Sequence, residues 1–324
     1  MEPRVGVRKA QRARCCATAT TRLDMCGRPD CIWPCPVPPI TTTVQHQEGV
    51  DSAFFHETSG ATFLNFRQAC VVESLAHHNP NLTVHLLMTG RHLDLNSLTL
   101  ATLRTSYPNV KIVEIDLADY VAGTRLERWY FCSQWNRGWF AVPHLSDALR
   151  FLTLSKYGGY YFDLDVIHLR PVTSYRNFVV AEDGDKLGSS VIHVDRGHPV
   201  IETLVDTFAA DYKWYVWSHN GPDLVTRVLQ KWCDVYYISW MTPERCKGFR
   251  VLTPKSFYPV HYMNWRAYFY KRTDTIDWDE SVVGAHVWNS LSSKWTVDKS
   301  SNQYYTQMAR SSCPRVFQVA PDQF

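Results

Sequence analysis

The chain has 324 residues, of which 45% are apolar and 20% charged, the composition of a globular protein that can bury a sizeable core. A formal net charge of +3 lacks the basic excess of proteins that bind phosphate backbones, so we expect no nucleic-acid partner. The 12 tryptophans and 17 tyrosines suit a cleft that stacks rings on sugars, but also core packing.

Residues 1 to 46 are rich in Arg, Cys and Pro and show neither helical nor strand periodicity up to Thr43. We interpret residues 1–46 as a disordered or misassigned leader and residues 47–324 as one folded domain. A transit peptide, also Arg-rich and poor in acids, is an alternative for the leader. The sequence contains neither the apolar core of a signal peptide nor an apolar run of about 18 residues, so it predicts no membrane anchor in this chain.

The ten cysteines form two groups of five, one of them inside the first 35 residues. The other group lies in the body of the chain and contains no CxxC pair, which favours disulfides in an oxidising compartment over a zinc site. Cys233 and Cys246 flank a short segment that contains Pro243, and we predict that they form a disulfide, two separate thiols being the alternative. Asn81-Leu82-Thr83 is an N-glycosylation triplet and agrees with a secretory location.

Alternating strands and helices begin at Ala53. An apolar opening, Ala53 to Phe55, precedes a polar turn, and the pattern that follows is typical of crossover helices between parallel strands. In the first predicted helix Asn79-Pro80 ends the pattern, and Glu73 falls on the face opposite the apolar stripe, where we expect solvent. The further predicted elements are a strand at Val84 to Met88, a helix at Leu95 to Thr105 and a strand at Val110 to Ile115.

The segment from Leu145 to Ile167 is the most informative. Ser146 or Asp147 is predicted to cap a helix that Gly158-Gly159 ends, and a buried aromatic strand, Tyr160 to Phe162, follows. Because side chains alternate along a strand, Asp163 and Asp165 are expected to point the same way at its carboxyl end, where open α/β sheets bind their ligands. Asp147 and Arg150 are three residues apart and face together on the helix.

Less regular elements complete the chain. A segment rich in Trp and Tyr, residues 214–217, precedes the turn that contains His219 and Asn220. The predicted elements of this half are strands at Phe178 to Ala181 and Val191 to Val194, helices at Pro199 to Ala210 and Leu224 to Lys231, and a late strand at Ser281 to Trp288.

Asp-x-Asp occurs three times, at Asp163/Asp165, Asp183/Asp185 and Asp277/Asp279, so context decides which pair carries function. The last two pairs lie in polar segments and are interpreted as solvated acids. Only the first follows a buried strand, where two acids cost several kcal/mol unless a cation or hydrogen-bond donors compensate. We therefore predict a site for Mn²⁺ or Mg²⁺ at Asp163 and Asp165, which suits sugar transfer from a nucleoside diphosphate.

The arrangement Ser146-Asp147-x-x-Arg150 followed by Gly158-Gly159-x-Tyr161-x-Asp163-x-Asp165 resembles a family of retaining glycosyltransferases. This family has a GT-A fold, an α/β fold with a mostly parallel, Rossmann-like sheet flanked by helices, and it includes alpha-1,4-galactosyltransferases and alpha-1,4-N-acetylglucosaminyltransferases. The resemblance covers roughly residues 52 to 315. It extends to the segments Phe54 to Ser59, Gly221-Pro222, Phe257-Tyr258-Pro259 and His286-Val287-Trp288-Asn289.

The resemblance implies a UDP-sugar donor, dependence on Mn²⁺, residence at the Golgi membrane or in its lumen, and transfer of galactose or N-acetylgalactosamine in alpha-1,4 linkage to a glycolipid or glycan. It gives Asp163 and Asp165 the catalytic and metal-binding roles, with His286 as third ligand. It also implies substrate contacts for Asp147 and Arg150 with the donor sugar, Thr58 with the uridine, and His219 and Asn220 with the donor sugar.

Three alternatives stay open. A haloacid-dehalogenase phosphatase also carries Asp-x-Asp after a buried strand, but its motif continues into Gly-Thr, whereas Val166-Ile167 follows here. A catalytically silent sugar-binding protein would keep the fold and a Trp-rich cleft. Within the site, His219 and Asn220 are alternatively turn residues that cap the next helix.

Overall fold

The computed structural model describes Val44 and residues 51–324, so the predicted leader, apart from Val44, lies outside the described residues. Nine strands are described: β1 Ser52–Glu57, β2 Thr83–Met88, β3 Val110–Glu114, β4 Gly159–Phe162, β5 Val166–His168, β6 Phe178–Ala181, β7 Leu187–Val194, β8 Arg250–Leu252 and β9 Gly284–His286. The described α-helices are α1 Phe66–His78, α2 Leu98–Ser106, α3 Leu117–Val121, α4 Glu127–Cys132, α5 Ala141–Tyr157, α6 Pro199–Ala210, α7 Pro222–Cys233, α8 Asn289–Ser292, α9 Tyr304–Ser312 and α10 Pro314–Val319. Within the described ranges no helix combines the length and the hydrophobicity that crossing a bilayer requires.

Seven strands form one sheet in the order β3-β2-β1-β4-β7-β6-β8. The neighbouring pairs are parallel except that β7 runs antiparallel to both β4 and β6. Consequently β1, β4 and β6 all run in one direction, and their carboxyl ends meet at one edge of the sheet. The predicted class, an α/β fold of the GT-A type with a mostly parallel sheet between helices, is confirmed.

Two apolar cores lie on opposite faces of this sheet, because alternate residues of each buried strand point to opposite sides. Phe55 and Phe162 belong to the core under α1, α2, α9 and α10, whereas Phe54 and Tyr161 belong to the core under α5, α6 and α7. Val44, which the sequence assigns to the leader, is buried in this second core. The helices on both faces fix the sheet edge at which the polar residues gather.

Of the two predicted ends of helix α5, the start is wrong and the end is confirmed. Helix α5 begins at Ala141, so Ser146 and Asp147 lie inside it and the prediction that one of them caps it is wrong. Ser and Asp fit the cap preference, but here both side chains contact Arg150 within the helix, and Ser146 Oγ also lies 3.2 Å from the Tyr161 hydroxyl of β4. Gly158 and Gly159 adopt φ of 67° and 91° and end the helix as predicted, because glycine enters this region without a side-chain clash.

The prediction that Glu73 faces solvent is wrong. The side chain is fully buried and accepts hydrogen bonds from the Tyr107 hydroxyl at 2.6 Å and from the backbone N–H groups of Arg315 and Val316 at 2.8 and 2.6 Å. The carboxylate therefore binds the first turn of α10, where a negative charge is stabilised by unpaired N–H groups. The hydrophobic periodicity of α1 cannot predict this contact, because Arg315 and Val316 lie more than two hundred residues further along the chain.

Cys233 and Cys246 form a disulfide, as predicted, and a second one joins Cys70 in α1 to Cys313 between α9 and α10. The predicted late strand is shorter than expected and comprises only Gly284–His286. This strand, β9, pairs with β5 in a separate antiparallel ribbon, with Val166 opposite His286. The ribbon brings residues more than a hundred positions apart to the same edge as the carboxyl end of β4.

Candidate active site

Asp163 follows the last residue of β4 and is held from three sides. Its backbone N–H donates to Ser190 O at 2.9 Å, and the Tyr161 hydroxyl donates to its Oδ1 at 2.6 Å. Arg150 Nη1 lies 3.2 Å from Oδ1 and 3.3 Å from Oδ2. About a quarter of the side chain remains exposed, so the carboxylate is oriented but still open to a ligand.

Asp165 lies in the turn between β4 and β5, and His286 reaches it from β9. Asp165 Oδ2 accepts a hydrogen bond from the Asn289 N–H at 2.8 Å, whereas Oδ1 lies 3.2 Å from His286 Nε2. Burial disfavours both charges, but the attraction between carboxylate and imidazole outweighs it, so the pKa of Asp165 is lowered and that of His286 is raised. His286 Nε2 is thus close enough to Asp165 Oδ1 for both atoms to bind one ion.

These three side chains form a group with the chemistry of a divalent-cation site. One ligand atom from each of Asp163, Asp165 and His286 lies within 4.8 Å of the other two. Asp165 Oδ1 is buried and faces the His286 imidazole, so a cation bound between the two would compensate a carboxylate charge that has no contact with water. Two carboxylates and an imidazole fit Mn²⁺ better than Mg²⁺, which prefers oxygen ligands alone.

Arg150 connects this group to Asp147 on the same helix. The guanidinium is buried, donates to Ser189 O at 2.6 Å and to Ser146 Oγ at 2.9 Å, and lies 3.3 Å from Asp147 Oδ1. Burial raises the pKa of Asp147 to about 7, against the opposing effect of the Arg150 charge. The predicted pairing of these two residues on one helix face is therefore observed, beside Asp163.

Gly221 packs against Asp147, whereas the side chains of His219 and Asn220 contact the segment that precedes them. A Cβ at Gly221 would lie 2.5 Å from Asp147 Oδ1, which leaves room only for glycine. Asn220 is buried, and its amide both accepts from Lys213 N–H and donates to Lys213 O, each at 2.9 Å. His219 Nε2 lies 2.9 Å from Asp211 Oδ2. These contacts hold the turn, but neither side chain caps α7, whose N-cap residue is Gly221 and has no side-chain cap hydrogen bond. The expected contacts of His219 and Asn220 with the donor sugar stay a prediction.

Thr58 follows β1 at the same sheet edge as Asp163, because β1 and β4 are parallel neighbours. Its hydroxyl lies 3.5 Å from the carbonyl oxygen of Val142, at the start of α5. The Glu57 carboxylate accepts hydrogen bonds from the backbone N–H groups of Ser59 and Ala61, and this fixes the loop that carries Thr58.

Two side chains beside the cation site were missed from the sequence. Glu182 follows β6, whose carboxyl end lies at this edge, and burial raises its pKa while the His286 imidazole opposes the increase. Tyr258 donates to or accepts from Ser190 Oγ at 2.6 Å, and its ring centroid lies 5.4 Å from that of His286. Tyr258 enters the sequence analysis only through the resemblance of the Phe257-Tyr258-Pro259 segment. Glu182 directly precedes the Asp183/Asp185 pair, whose polar surroundings predict solvated acids.

Two family models match the chain, and both describe glycosyltransferases. The "Glycosyltransferase sugar-binding region containing DXD motif" covers residues 65–183, and the "Alpha 1,4-glycosyltransferase conserved region" covers residues 193–320. Between them they include Asp163, Asp165 and His286. The class of protein is therefore a glycosyltransferase.

Curated relatives define the family. Human lactosylceramide 4-alpha-galactosyltransferase is 30% identical over 296 residues, covering 87% of this chain and 80% of that protein, and the rat protein of the same name is 32% identical over 266 residues, covering 81% and 73%. Human alpha-1,4-N-acetylglucosaminyltransferase is 29% identical over 290 residues, covering 86% and 82%. The chain belongs to the family of alpha-1,4-glycosyltransferases that contains these enzymes, and it is an alpha-1,4-galactosyltransferase-like hexosyltransferase.

Solved structures with similar folds are more distant. PaToxG glycosyltransferase has 17% identity and a TM-score of 0.45, covering 56% of this chain and 69% of that chain. The galactosyltransferase LgtC, solved with donor and acceptor sugar analogues, has 14% identity and a TM-score of 0.38, covering 72% and 86%. At these values the likeness carries no conclusion about substrate.

Proposed function

We propose that this protein is a retaining glycosyltransferase that transfers galactose or N-acetylgalactosamine from a UDP-sugar, in alpha-1,4 linkage, to a glycolipid or glycan acceptor. The observation that carries the proposal is the convergence of Asp163, Asp165 and His286 within 4.8 Å at the carboxyl edge of the sheet. The names of the relatives support the linkage and the lactosylceramide type of acceptor. The catalytically silent alternative gives no reason for a buried carboxylate at Asp165 close to a second carboxylate, Asp163.

In this proposal Asp163, Asp165 and His286 hold Mn²⁺, or Mg²⁺ in its place. The bound ion would act as a Lewis acid that neutralises the charge of the departing pyrophosphate. The two carboxylates are preorganised for this role, because Tyr161 and Arg150 orient Asp163 and the Asn289 N–H orients Asp165. Such fixed dipoles require little rearrangement during the reaction.

Arg150 and Asp147 are proposed to contact the donor sugar, and Thr58 the uridine. The buried Arg150 beside Asp163 supports this proposal, because its positive charge would lie near a sugar-phosphate bond held at the cation site. No carboxylate identifies itself as a covalent nucleophile, so we favour a same-face displacement. In that reaction the leaving phosphate oxygen accepts the proton of the acceptor hydroxyl as the new glycosidic bond forms on the face that the phosphate leaves.

The proposed location is the Golgi membrane or lumen. Two disulfides in the described chain require an oxidising compartment, which the secretory pathway supplies. Asn81, in the exposed turn between α1 and β2, lies where an oligosaccharide can be attached.

The test is product analysis by mass spectrometry with a panel of UDP-sugars and of lactose-ended glycolipid and soluble acceptors. We expect one added hexose or N-acetylhexosamine, only in the presence of Mn²⁺ or Mg²⁺, and nuclear magnetic resonance of the product should show an alpha-1,4 bond. A beta bond would contradict the retaining mechanism. Failure of every donor to be transferred or hydrolysed, with sugar binding retained, would instead support the silent alternative.

A further inference from the structure

A buried arginine lies behind the candidate cation site. The side chain of Arg67, in the first turn of α1, is 8% exposed, and its guanidinium carbon lies 4.9 Å and 5.3 Å from the ring centroids of Phe269 and Tyr305. Among the described residues its hydrogen bonds go to uncharged groups of Ser292 and Trp295, and not to a carboxylate. A buried charge without an opposite charge in contact is costly, so we expect Arg67 to do something that an apolar side chain cannot.

The donors of Arg67 act on Ser292, at the end of the one-turn helix α8. Nη1 donates to Ser292 O at 2.7 Å, and Nη2 donates to Ser292 Oγ at 2.6 Å. The Ser292 hydroxyl in turn donates to Val287 O at 2.8 Å. We name residues 287–292 the clamp segment. Because a guanidinium presents its donors in a rigid planar fork, Arg67 fixes the orientation of the clamp segment relative to α1.

The clamp segment holds Asp165 at two points. The Val287 N–H donates to the Asp165 carbonyl oxygen, and the Asn289 N–H donates to Asp165 Oδ2, both at 2.8 Å. With Oδ2 engaged in this way, Oδ1 lies 3.2 Å from His286 Nε2, on the side where the proposed ion would bind. The orientation of the Asp165 carboxylate therefore depends on the position of the clamp segment.

A strained residue indicates that the clamp segment needs external support. Trp288 has φ 54° and ψ 54°, in the left-handed region that bulky side chains rarely adopt. Its ring stacks on that of Tyr258, with centroids 5.4 Å apart, and its Nε1 donates to Val260 O at 2.9 Å. Such a conformation persists only where the surrounding contacts enforce it. These contacts hold the start of the clamp segment, and Arg67 holds its end.

The alternative is that Arg67 only stabilises the fold, by joining α1 to the last quarter of the chain. Gln303 has such a structural role in the same core. It is buried, and its side chain bonds to the backbone of Phe269, Thr296 and Asp298, all outside the clamp segment. Loss of a purely structural contact lowers stability, whereas loss of a positioning residue also lowers the affinity of the site for its metal ion.

We propose that Arg67 is a positioning residue of the cation site: through Ser292 it fixes the clamp segment, and the clamp segment keeps Asp165 Oδ1 directed toward the ion. This inference rests on the proposed function, because it assigns Arg67 to the Mn²⁺ site of that reaction. Arg67 itself touches neither the ion nor the substrates and acts through the backbone of residues 287–292.

The first experiment measures Mn²⁺ binding to the purified chain, with and without UDP, by electron paramagnetic resonance of the free ion. Arg67→Met keeps the contact with the two rings but removes the charge and the donors. We expect its dissociation constant for Mn²⁺ to rise about tenfold, as for other groups that orient a metal ligand. Arg67→Lys, which keeps a charged donor, should be intermediate. Gln303→Met is the matched control and should bind Mn²⁺ like the wild type.

The second experiment measures transfer against Mn²⁺ concentration, together with urea denaturation of the metal-free proteins. Arg67→Met should need about tenfold more Mn²⁺ for half-maximal transfer, whereas both it and Gln303→Met should unfold at lower urea concentrations. If Arg67→Met folds poorly, Ser292→Ala is the second variant. It removes only the hydroxyl that joins Arg67 to Val287 and should weaken Mn²⁺ binding several-fold.

The outcomes separate this inference from the proposed function. A wild type that transfers sugar, with Arg67→Met binding Mn²⁺ equally well or losing no more affinity than Gln303→Met, would overturn the positioning role and leave the proposed function in place. A wild type that transfers no sugar, but whose Mn²⁺ binding weakens in Arg67→Met and not in Gln303→Met, would contradict the proposed function and support the positioning role.

Discussion

At the scale of single residues, the two acids of the Asp-x-Asp pair have different surroundings. Asp163 is held by the Tyr161 hydroxyl and the Arg150 guanidinium, whereas Asp165 is held by a backbone N–H and faces His286. Asp163 therefore joins the candidate cation site to helix α5, and Asp165 joins it to the β5–β9 ribbon. Replacing either aspartate would remove one of these two connections and also one of the carboxylates that could bind the ion.

Asp163→Asn and Asp165→Asn are each expected to lower transfer at least about a hundredfold, about 2.7 kcal/mol in the barrier, because a neutral amide replaces a charged ligand. Initial rates at saturating Mn²⁺ and calorimetric binding of Mn²⁺ measure the effect, with circular dichroism to show that the variants fold. Asp183→Asn is the control, since Asp183 Oδ1 only accepts backbone hydrogen bonds in a turn that Asn also tolerates. Near-normal turnover of either site variant would contradict the metal-site assignment.

Asn220→Gln is expected to lower activity with UDP-galactose and UDP-N-acetylgalactosamine alike and to leave their ratio unchanged. The longer side chain cannot keep both hydrogen bonds to Lys213, so the turn beside Asp147 shifts, at a cost of about 1 to 3 kcal/mol for the unpaired groups. The ratio of kcat/KM for the two donors measures this. A change of about tenfold in that ratio would show that Asn220 reads the donor sugar after all.

At the scale of elements, local patterns predicted most helices and strands because periodicity and stop signals are local. Helix α6 has the predicted bounds, Pro199–Ala210, and strand β6 has the predicted bounds Phe178–Ala181. The direction of β7 was not predictable, since antiparallel pairing with both neighbours leaves the same apolar pattern as parallel pairing. The proximity of His286 to Asp165 depends on the β5–β9 register, which no local pattern encodes, so the sequence could name His286 as a candidate ligand but could not establish this contact.

The loop closed by Cys233 and Cys246 gives a prediction at this scale. The disulfide joins the end of α7 to a segment 13 residues later, on the side of the helix remote from Gly221. Replacing both cysteines by serine should lower the free energy of unfolding by roughly 3 kcal/mol, by the loop-entropy account, and leave the donor KM unchanged. Urea denaturation and initial rates measure the two quantities. Mass mapping of unreduced peptides that found two free thiols would contradict the pairing.

At the scale of the whole molecule, burial of ionisable side chains makes the stability of the fold depend on pH. Burial lowers the pKa of His168 and of His56 to about 3, and that of His193 to about 4. Sequence alone could not show this, because each of these histidines stands on or beside an apolar strand where burial depends on helices packed from elsewhere. The folded chain therefore keeps neutral imidazoles that the unfolded chain would protonate.

His168 is the sharpest case, since neither ring nitrogen has a hydrogen-bond partner among the described residues and the ring lies 4.4 Å from that of Phe162. Below pH 6.5 the His168 imidazole binds a proton in the unfolded chain, whereas in the folded chain, where its pKa is about 3, it stays neutral until the pH falls to about 3. Stability contributed by the neutral ring is thus present above pH 6.5 and is lost as the pH falls. His168→Phe should reduce this loss by about 1.4 kcal/mol per pH unit.

Urea denaturation between about pH 7 and pH 4 measures the effect as a difference in slope, so a constant packing cost of the larger ring does not obscure it. His168→Leu is a second variant that should show the same slope if the Phe variant folds poorly. His92→Asn is the control, because His92 is exposed and holds a positive φ that Asn tolerates. Parallel curves for the wild type and both His168 variants would mean that this imidazole is not held neutral in the folded protein.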